Sequence, residues 1–361
     1  MQTFYRGKRV LVTGHTGFKG AWLCRILQTL GAEVTGYALE PPTSPSLFEL
    51  TGMAREMHSV LGDVRDYEHL YATFCNARPE IVFHLAAQPL VREGYRLPRD
   101  TYEANVMGTV NLLECVRQCA SVRSVINVTT DKVYQNREWV WGYRENEPLD
   151  GYDPYSNSKS CAELVTHSYQ NSFFRERGVA VSTARAGNVI GGGDFAPDRI
   201  VPDCVRAALA GRPIAVRNPH SVRPYQHVLE PLFAYLLMAM HQYEKPSLSG
   251  SYNVGPDEAD CLTTGEIVAL FVRLWGGGLT WFVREAEGPH EAGLLKLDAS
   301  LLRATFGWRP RWSMEEAMRQ VVAFTRVMAS GGDIAAETDR EIALFMGVLQ
   351  KELDNVFSGK I

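Results

Sequence analysis

Apolar and polar positions in this chain alternate between two periods, and the switching is regular over its first half. Residues 9–13 are a short β-branched run, followed by glycines and then by Ala21, Leu23, Ile26, Leu27 and Leu30, a helical spacing that stops at Gly31. The reading is strand, turn, helix. Further strands are predicted at 33–38, 58–61 and 81–85, with a helix over 67–76 before the last of them. A long helix over 102–119, a strand at 124–128, a helix over 156–177 and a strand at 179–184 bring the count to six strands. Strands that alternate with helices make a parallel sheet covered on both faces, so the expected fold class is α/β with a doubly wound sheet.

After Asn188 the pattern changes. Gly191-Gly192-Gly193-Asp194 and several prolines interrupt it, and helices separate short strands at 213–216 and 251–254. The expected division is therefore a first domain over 1–188 and a smaller, partly interleaved second domain over 189–361, with segments crossing between them. The tail over 335–357 reads as one amphipathic helix. The apolar stretch 233–240 falls well short of the ~20 residues of a membrane span and reads as helix.

Composition narrows the ligand classes. Among 361 residues, 37 Lys and Arg face 41 Asp and Glu, a net charge of -4, which argues against a nucleic acid or an anionic membrane gripped by a broad basic surface. Any anionic ligand must be met by locally placed groups. The N-terminus carries Arg6, Lys8 and Arg9 but only a short apolar run before Gly14, too little for the apolar core of a signal peptide, so a cytoplasmic protein is expected. The seven cysteines are scattered and never in a C-x-x-C pair, which predicts free buried thiols rather than disulfides or zinc. His227 and His290 have no cluster around them, so no metal is expected.

The first strand and helix are joined by Gly14-His15-Thr16-Gly17-Phe18-Lys19-Gly20. Glycines at this spacing let the backbone turn tightly and approach a pyrophosphate at the N-terminus of the helix, the mark of a Rossmann-type dinucleotide site. Glu40, at the end of the second strand and 20 residues past Gly20, is placed to accept from an adenosine ribose diol, which favours NAD over NADP; a solvated loop acid is the alternative. Asp63, with Val64 beside it, is a candidate for the adenine amino group, and Leu85-Ala86-Ala87 is small enough for the cofactor to lie against it. Whether His15 and Lys19 assist this turn or point elsewhere is open.

Tyr155 and Lys159 are four residues apart at the start of a predicted helix and share one face. A phenol near its ordinary pKa of ~10 is a poor base, but a nearby ammonium and a positive cofactor ring would lower it. Thr130, just past the fifth strand, is the expected hydroxyl partner of the reacting oxygen, or else a loop threonine bonded to backbone.

With these features in order along the chain, together with His84-Leu85-Ala86-Ala87-Gln88 and Asn105, the sequence resembles the extended short-chain dehydrogenase/reductases over essentially its whole length. GHTGFKG at 14–20, AAQPLVR at 86–92, NREWVWGYRENEP at 136–148, GYDPYSNSK at 151–159, AGNVIGGGD at 186–194 and RNPHSVRPYQHVLEPL at 217–232 are similar to the members that act as 4,6-dehydratases on CDP-glucose. The resemblance implies oxidation at C4 with Tyr155 as base, loss of water across C5 and C6, and return of hydride to C6 with NAD regenerated. It implies a lyase serving deoxysugar and surface-polysaccharide synthesis, including O-antigen. Asn105 and Thr129 complete the expected cofactor contacts.

Asp131-Lys132 stands where such dehydratases keep an acid/base pair, and Asp131 is the implied acid at O6. Lys132 departs from the Glu of the dTDP-glucose enzymes. It is either the C5 base, with a depressed pKa, or an ion-pair partner that holds the substrate. For the sugar nucleotide, the implied contacts are Arg223, with Arg217 and Arg92 as weaker candidates, and Asn188, Gln88 and Asn157. Trp275, Trp281 and Trp308 read as core rather than as a base pocket. Relatives pair the two long helices across a two-fold axis, which implies a homodimer or homotetramer. The competing readings are a 4-epimerase on the same fold and a catalytically silent NAD-binding scaffold, the latter disfavoured by the presence of both Tyr155 and Lys159.

Overall fold

The computed structural model describes residues 1–284 and 293–357, so His290 lies outside the described residues. Its strands are β1 Arg9–Thr13, β2 Glu33–Ala38, β3 His58–Leu61, β4 Ile81–His84, β5 Ser124–Val128, β6 Ala180–Ala186, β7 Val189–Ile190, β8 Ile214–Val216, β9 Gln226–His227, β10 Ser251–Val254 and β11 Trp281–Val283. Seven of them form one parallel sheet in the order β10-β6-β5-β4-β1-β2-β3. The chain winds outward from β1 through β2 and β3, returns, and winds the other way through β4, β5 and β6. The crevice beyond the ends of β1 and β4, where the winding reverses, is where such sheets receive ligands.

Successive side chains along a strand face opposite ways, and the two faces have separate cores. Val10 and Val12 join Ile81, Phe83 and Ile126 under the helices Phe18–Thr29 and Leu229–Glu244, with Trp22, Phe233 and Phe345. Leu11, Val82, Val125 and Val181 face the helices Tyr67–Ala77 and Gly108–Gln118 with Phe74, Leu112 and Val116. A third core, of Val201, Ile214, Val216, Ile267, Phe271, Met318 and Val321, lies wholly in residues after 189.

The sheet has seven strands rather than six. The strand at 251–254, expected beyond the main sheet, pairs with β6 from Ser251 opposite Thr183 to Val254 opposite Ala186. Its short pattern carries no sign of its partner, because pairing is decided by the helix Leu229–Glu244 that returns the chain to the sheet edge. The two long predicted helices also differ in detail. Each contains one π-helical turn, Glu103–Met107 and Gln170–Phe174. The tail helix runs Ile334–Phe357 and packs on the first helix of the sheet. All seven cysteines are free. Among the described residues no helix is long and apolar enough to cross a membrane, and no cluster of ligating side chains suits a metal.

Candidate active site

A cleft of about 1340 Å³ follows the ends of the strands from Glu40 and Asp63, past Gly14, Gly17 and Gly20, to Tyr155, Lys159, Lys132 and Asn188. The glycine turn is fixed by close approach. Gly14 has φ +77, and a Cβ there would lie 2.7 Å from Ala86 N; a Cβ on Gly20 would lie 2.0 Å from Gly14 O. Thr16 donates to Leu39 O at 2.9 Å and so ties the turn to the end of β2. The helix Phe18–Thr29 opens at Gly17 with no side-chain cap and no acidic residue in its first turn, which leaves its N-terminal N–H groups to an anion.

The two unusual turn residues part company. His15 points between β2 and β3, its Nε2 2.7 Å from Ser59 Oγ and its ring edge-on to Phe48, in space that Gly36 leaves by lacking a Cβ. Burial pushes it down to about 4, so it is a neutral packing group away from the cleft. Lys19 turns the other way, part-buried in the lining of the cleft, with its Nζ 3.5 Å from the Tyr235 hydroxyl. Burial, and then the charge of Arg199, push it down to about 7, while Asp131 pulls in the opposite sense.

Asp153 caps the helix Pro154–Tyr169 by accepting from Ser156 N at 3.0 Å, and Pro154 opens it, so Tyr155 and Lys159 occupy its first turns. Lys159 Nζ donates to Val128 O, the last carbonyl of β5, at 3.1 Å. Burial pushes Lys159 down to about 8 and Tyr155 up to about 12, with a hydrogen bond between the phenol and Thr130 opposing the rise. In the protein alone, burial therefore outweighs the acidifying influence expected of the lysine.

Thr130 caps the short turn Asp131–Val133 and donates to Asp131 Oδ1 at 2.9 Å. Lys132 Nζ donates to the same oxygen at 3.2 Å and to Asn188 Oδ1 at 3.3 Å. Asp131 is fully buried behind the cleft wall, and its Oδ2 has no partner in the protein. Such an orphaned oxygen calls for a ligand group to bond it. Beneath this turn, Thr129 donates to Glu163 Oε1 at 2.5 Å, and Glu163 is held in turn by Arg185.

The remaining expected residues are placed as follows. Val64 packs on Gly108, and Asp63 takes a bidentate contact from Arg65 that holds its carboxyl below the usual range. Asn105 is buried and clamps Gln88, accepting from its N–H and donating to its carbonyl, while also donating to Ser158. The Gln88 amide bonds Leu90 and Thr101. Asn157 accepts from the Tyr102 hydroxyl on the side of its helix away from the cleft, whose lining neither it nor Asn105 reaches. Arg223, Arg217 and Arg92 line the cleft. His227 is packed between Trp22 and Trp312, its Nε2 3.4 Å from Glu341. Trp275 stacks on Phe271 and Trp308 is buried under Arg311.

Arg199 was not singled out from sequence, yet it pairs with Asp194 at 3.0 Å and its charge acts on both Lys19 and Tyr155. An isolated Arg in a Gly- and Pro-rich loop has no periodic signal to mark it.

Residues 11–262 match the family model described as GDP-mannose 4,6 dehydratase. The chain is 50% identical over 351 residues to CDP-glucose 4,6-dehydratase of Salmonella typhimurium, covering 96% of this chain and 98% of that one. It is 28% identical to a probable dTDP-glucose 4,6-dehydratase of Sinorhizobium fredii, covering 87% and 91%. Among solved structures, UDP-glucose 4-epimerase of Thermus thermophilus in complex with NAD superposes with a TM-score of 0.77 at 27% identity, over 88% of this chain and 98% of that one. dTDP-glucose 4,6-dehydratase of Bacillus anthracis in complex with NAD, at 21% identity and a TM-score of 0.74 over 90% and 99%, shows the same fold. The chain belongs to the GDP-mannose 4,6 dehydratase family, within the extended short-chain dehydrogenase/reductases.

Proposed function

We propose that the protein is an NAD-dependent hydro-lyase that converts CDP-glucose to CDP-4-keto-6-deoxyglucose. The observation that carries this reading is the meeting of Tyr155, Lys159 and Lys132 at one end of the cleft, with Asp131 bonded to Lys132 just behind its wall, in a chain half identical to a CDP-glucose 4,6-dehydratase. The residues fit NAD: the uncapped helix start at Gly17 suits the pyrophosphate, and Glu40 at the far end of the cleft suits the ribose diol. When bound, NAD takes a hydride from C4 and returns it to C6.

The chain's own residues manage the protons. Tyr155 accepts the C4 hydroxyl proton, with Thr130 bonded to the phenol and Lys159 fixed to β5 nearby. Lys132 Nζ and Asp131 Oδ1 stand 3.2 Å apart, within reach of direct proton transfer. With the proton on Asp131, the neutral amine of Lys132 removes the C5 proton and the carboxyl protonates the departing O6 hydroxyl, which leaves as water. The pair is then an ion pair; Lys132 returns a proton to C5, and the proton that Tyr155 took from the C4 hydroxyl replaces, through solvent, the one that Asp131 gave to the departing water. The unpartnered Asp131 Oδ2 is the oxygen assigned to O6. Asn188, bonded to Lys132 and lining the cleft, is assigned to the sugar nucleotide together with Arg223.

In this reading residues 1–188 hold the cofactor and the Tyr155–Lys159 pair, and residues 189–361 complete the cleft for the sugar nucleotide, with β10 crossing back into the sheet. Met107, Leu164 and Phe173, exposed on the two long helices, are assigned to a second copy of the chain in a homo-oligomer. The enzyme is assigned to the cytoplasm and to deoxysugar synthesis. The test is incubation with NAD and a panel of nucleotide-glucose donors, scored for the 4-keto-6-deoxy product. CDP-glucose is expected to turn over best. Turnover of another nucleotide sugar alone overturns the base assignment, and a C4-epimer without the keto product overturns the dehydration.

A further inference from the structure

Two arginines from opposite halves of the chain meet at one carboxylate. Asp198 Oδ1 lies 3.1 Å from Arg217 Nη2 and 3.8 Å from Arg92 Nη1. Arg92 belongs to the helix Val91–Arg96, and Arg217 follows directly on β8. All three residues line the cleft, and their side chains are between 31% and 48% exposed, so solvent or a ligand reaches the contact. Asp198 stands at φ +58 in the Pro197-Asp198-Arg199 turn just ahead of the helix Ile200–Leu209. Asp is among the few residues that adopt this left-handed conformation readily, and here it presents the carboxylate inward.

A carboxylate held between guanidinium groups occupies the place that a phosphate would take. A diphosphate brings more charge and more acceptor oxygens to the same donors than a single carboxylate does, and planar guanidinium forks bond it in pairs. A partly exposed ion pair is weak, so displacing it costs little. Asp198 therefore competes with the ligand without excluding it.

We propose that Arg92 and Arg217 are an anion clamp for a phosphate of the nucleotide sugar, and that Asp198 is its built-in competitor, holding the two arginines together between ligands and giving way when the diphosphate enters. The inference rests on the nucleotide-sugar reading above and adds a residue that sets affinity against release. Because the clamp spans both halves of the chain, exchange of Asp198 for a phosphate keeps the cleft walls linked in both states.

The experiment is calorimetric titration of the NAD-loaded enzyme with CDP and, separately, UDP, which reads binding without turnover. Asp198→Asn and Asp198→Gly both suit the left-handed backbone and remove the competing charge. Each is expected to tighten nucleoside diphosphate binding about two- to five-fold, the range of one exposed ion pair. Arg217→Ala and Arg92→Ala are expected to weaken it, and Asp198→Asn placed on Arg217→Ala is expected to lose most of its gain. Unchanged or weaker binding in both Asp198 variants overturns the proposal, as does a gain that persists in full without Arg217. The preference of the wild type for CDP over UDP reads the proposed substrate separately, so an error in the base leaves the result at the clamp standing.

Discussion

Glu163 and Arg185 form an ion pair 2.9 Å long with 1% and 4% of their side chains exposed. Glu163 also accepts from Thr129, Thr183 and Ser251, so it joins the end of β5, the strand β6 and the edge strand β10 beneath the Asp131–Lys132 turn. Burial alone would raise the carboxyl; Arg185 and these hydroxyls hold it below its ordinary value. Glu163→Ala leaves the Arg185 charge buried and is expected to cost roughly 3–5 kcal/mol, read by urea denaturation at neutral pH. A carboxyl depressed in the folded state stabilises above its unfolded pKa of about 4.3 and loses that contribution as pH falls through the folded value. The gap between wild type and variant should therefore narrow below about pH 4, and a gap independent of pH would refute the assignment.

In the proposed reaction the active form of the Tyr155–Lys159 pair has Tyr155 as phenolate and Lys159 as ammonium. With Tyr155 near about 12 and Lys159 near about 8, this form is a minority that grows tenfold per pH unit until Lys159 deprotonates, and is level above that. kcat/KM is expected to rise steeply up to about pH 8 and then flatten. Lys159→Arg, which keeps its charge, should move the bend to higher pH. A wild-type profile that is flat from pH 6 to 9 contradicts this assignment.

In the proposed reaction Asp131 and Lys132 are assigned to different atoms, so their variants should fail differently. Asp131→Asn removes the acid and is expected to lower product formation by ~10²-fold or more. Lys132→Met is expected to lose solvent deuterium at C5 of whatever product forms. Normal turnover with full label in Lys132→Met would exclude Lys132 as the base and leave it as the ion-pair partner of Asp131.

The glycine turn discriminates between its own members. A Cβ on Gly20 meets the Gly14 carbonyl oxygen at 2.0 Å, whereas one on Gly17 has only that oxygen, at 3.4 Å. Gly20→Ala must displace backbone and is expected to cost ~1–3 kcal/mol or more, with NAD binding lost. Gly17→Ala should fold normally, so its melting temperature compared with that of Gly20→Ala checks the geometry.

What was legible in the chain was local. The central strands at 9–13, 81–84 and 124–128 follow from apolar runs buried on both faces, and the shared face of Tyr155 and Lys159 follows from helical spacing within one element. His15 read the same as Lys19 in the glycine turn, yet the two diverge because Gly36 opens a space on one side and Tyr235, more than two hundred residues away, lies on the other. Asn157 has the chemistry for a sugar hydroxyl, but its place on the helix turns it to Tyr102.

By itself the sequence determined the alternation of strands and helices, the tight glycine turn and the shared face of Tyr155 and Lys159, because periodicity, steric freedom at glycine and a four-residue spacing act within a few residues of one another. Only the tertiary structure decided that Ser251–Val254 completes the sheet, that Glu163 and Arg185 lie beneath the Asp131–Lys132 turn, and that Arg92, Asp198 and Arg217 meet across the cleft. Charge pairing and strand pairing depend on distance in space, and neither leaves a mark at the separations in sequence that these contacts span.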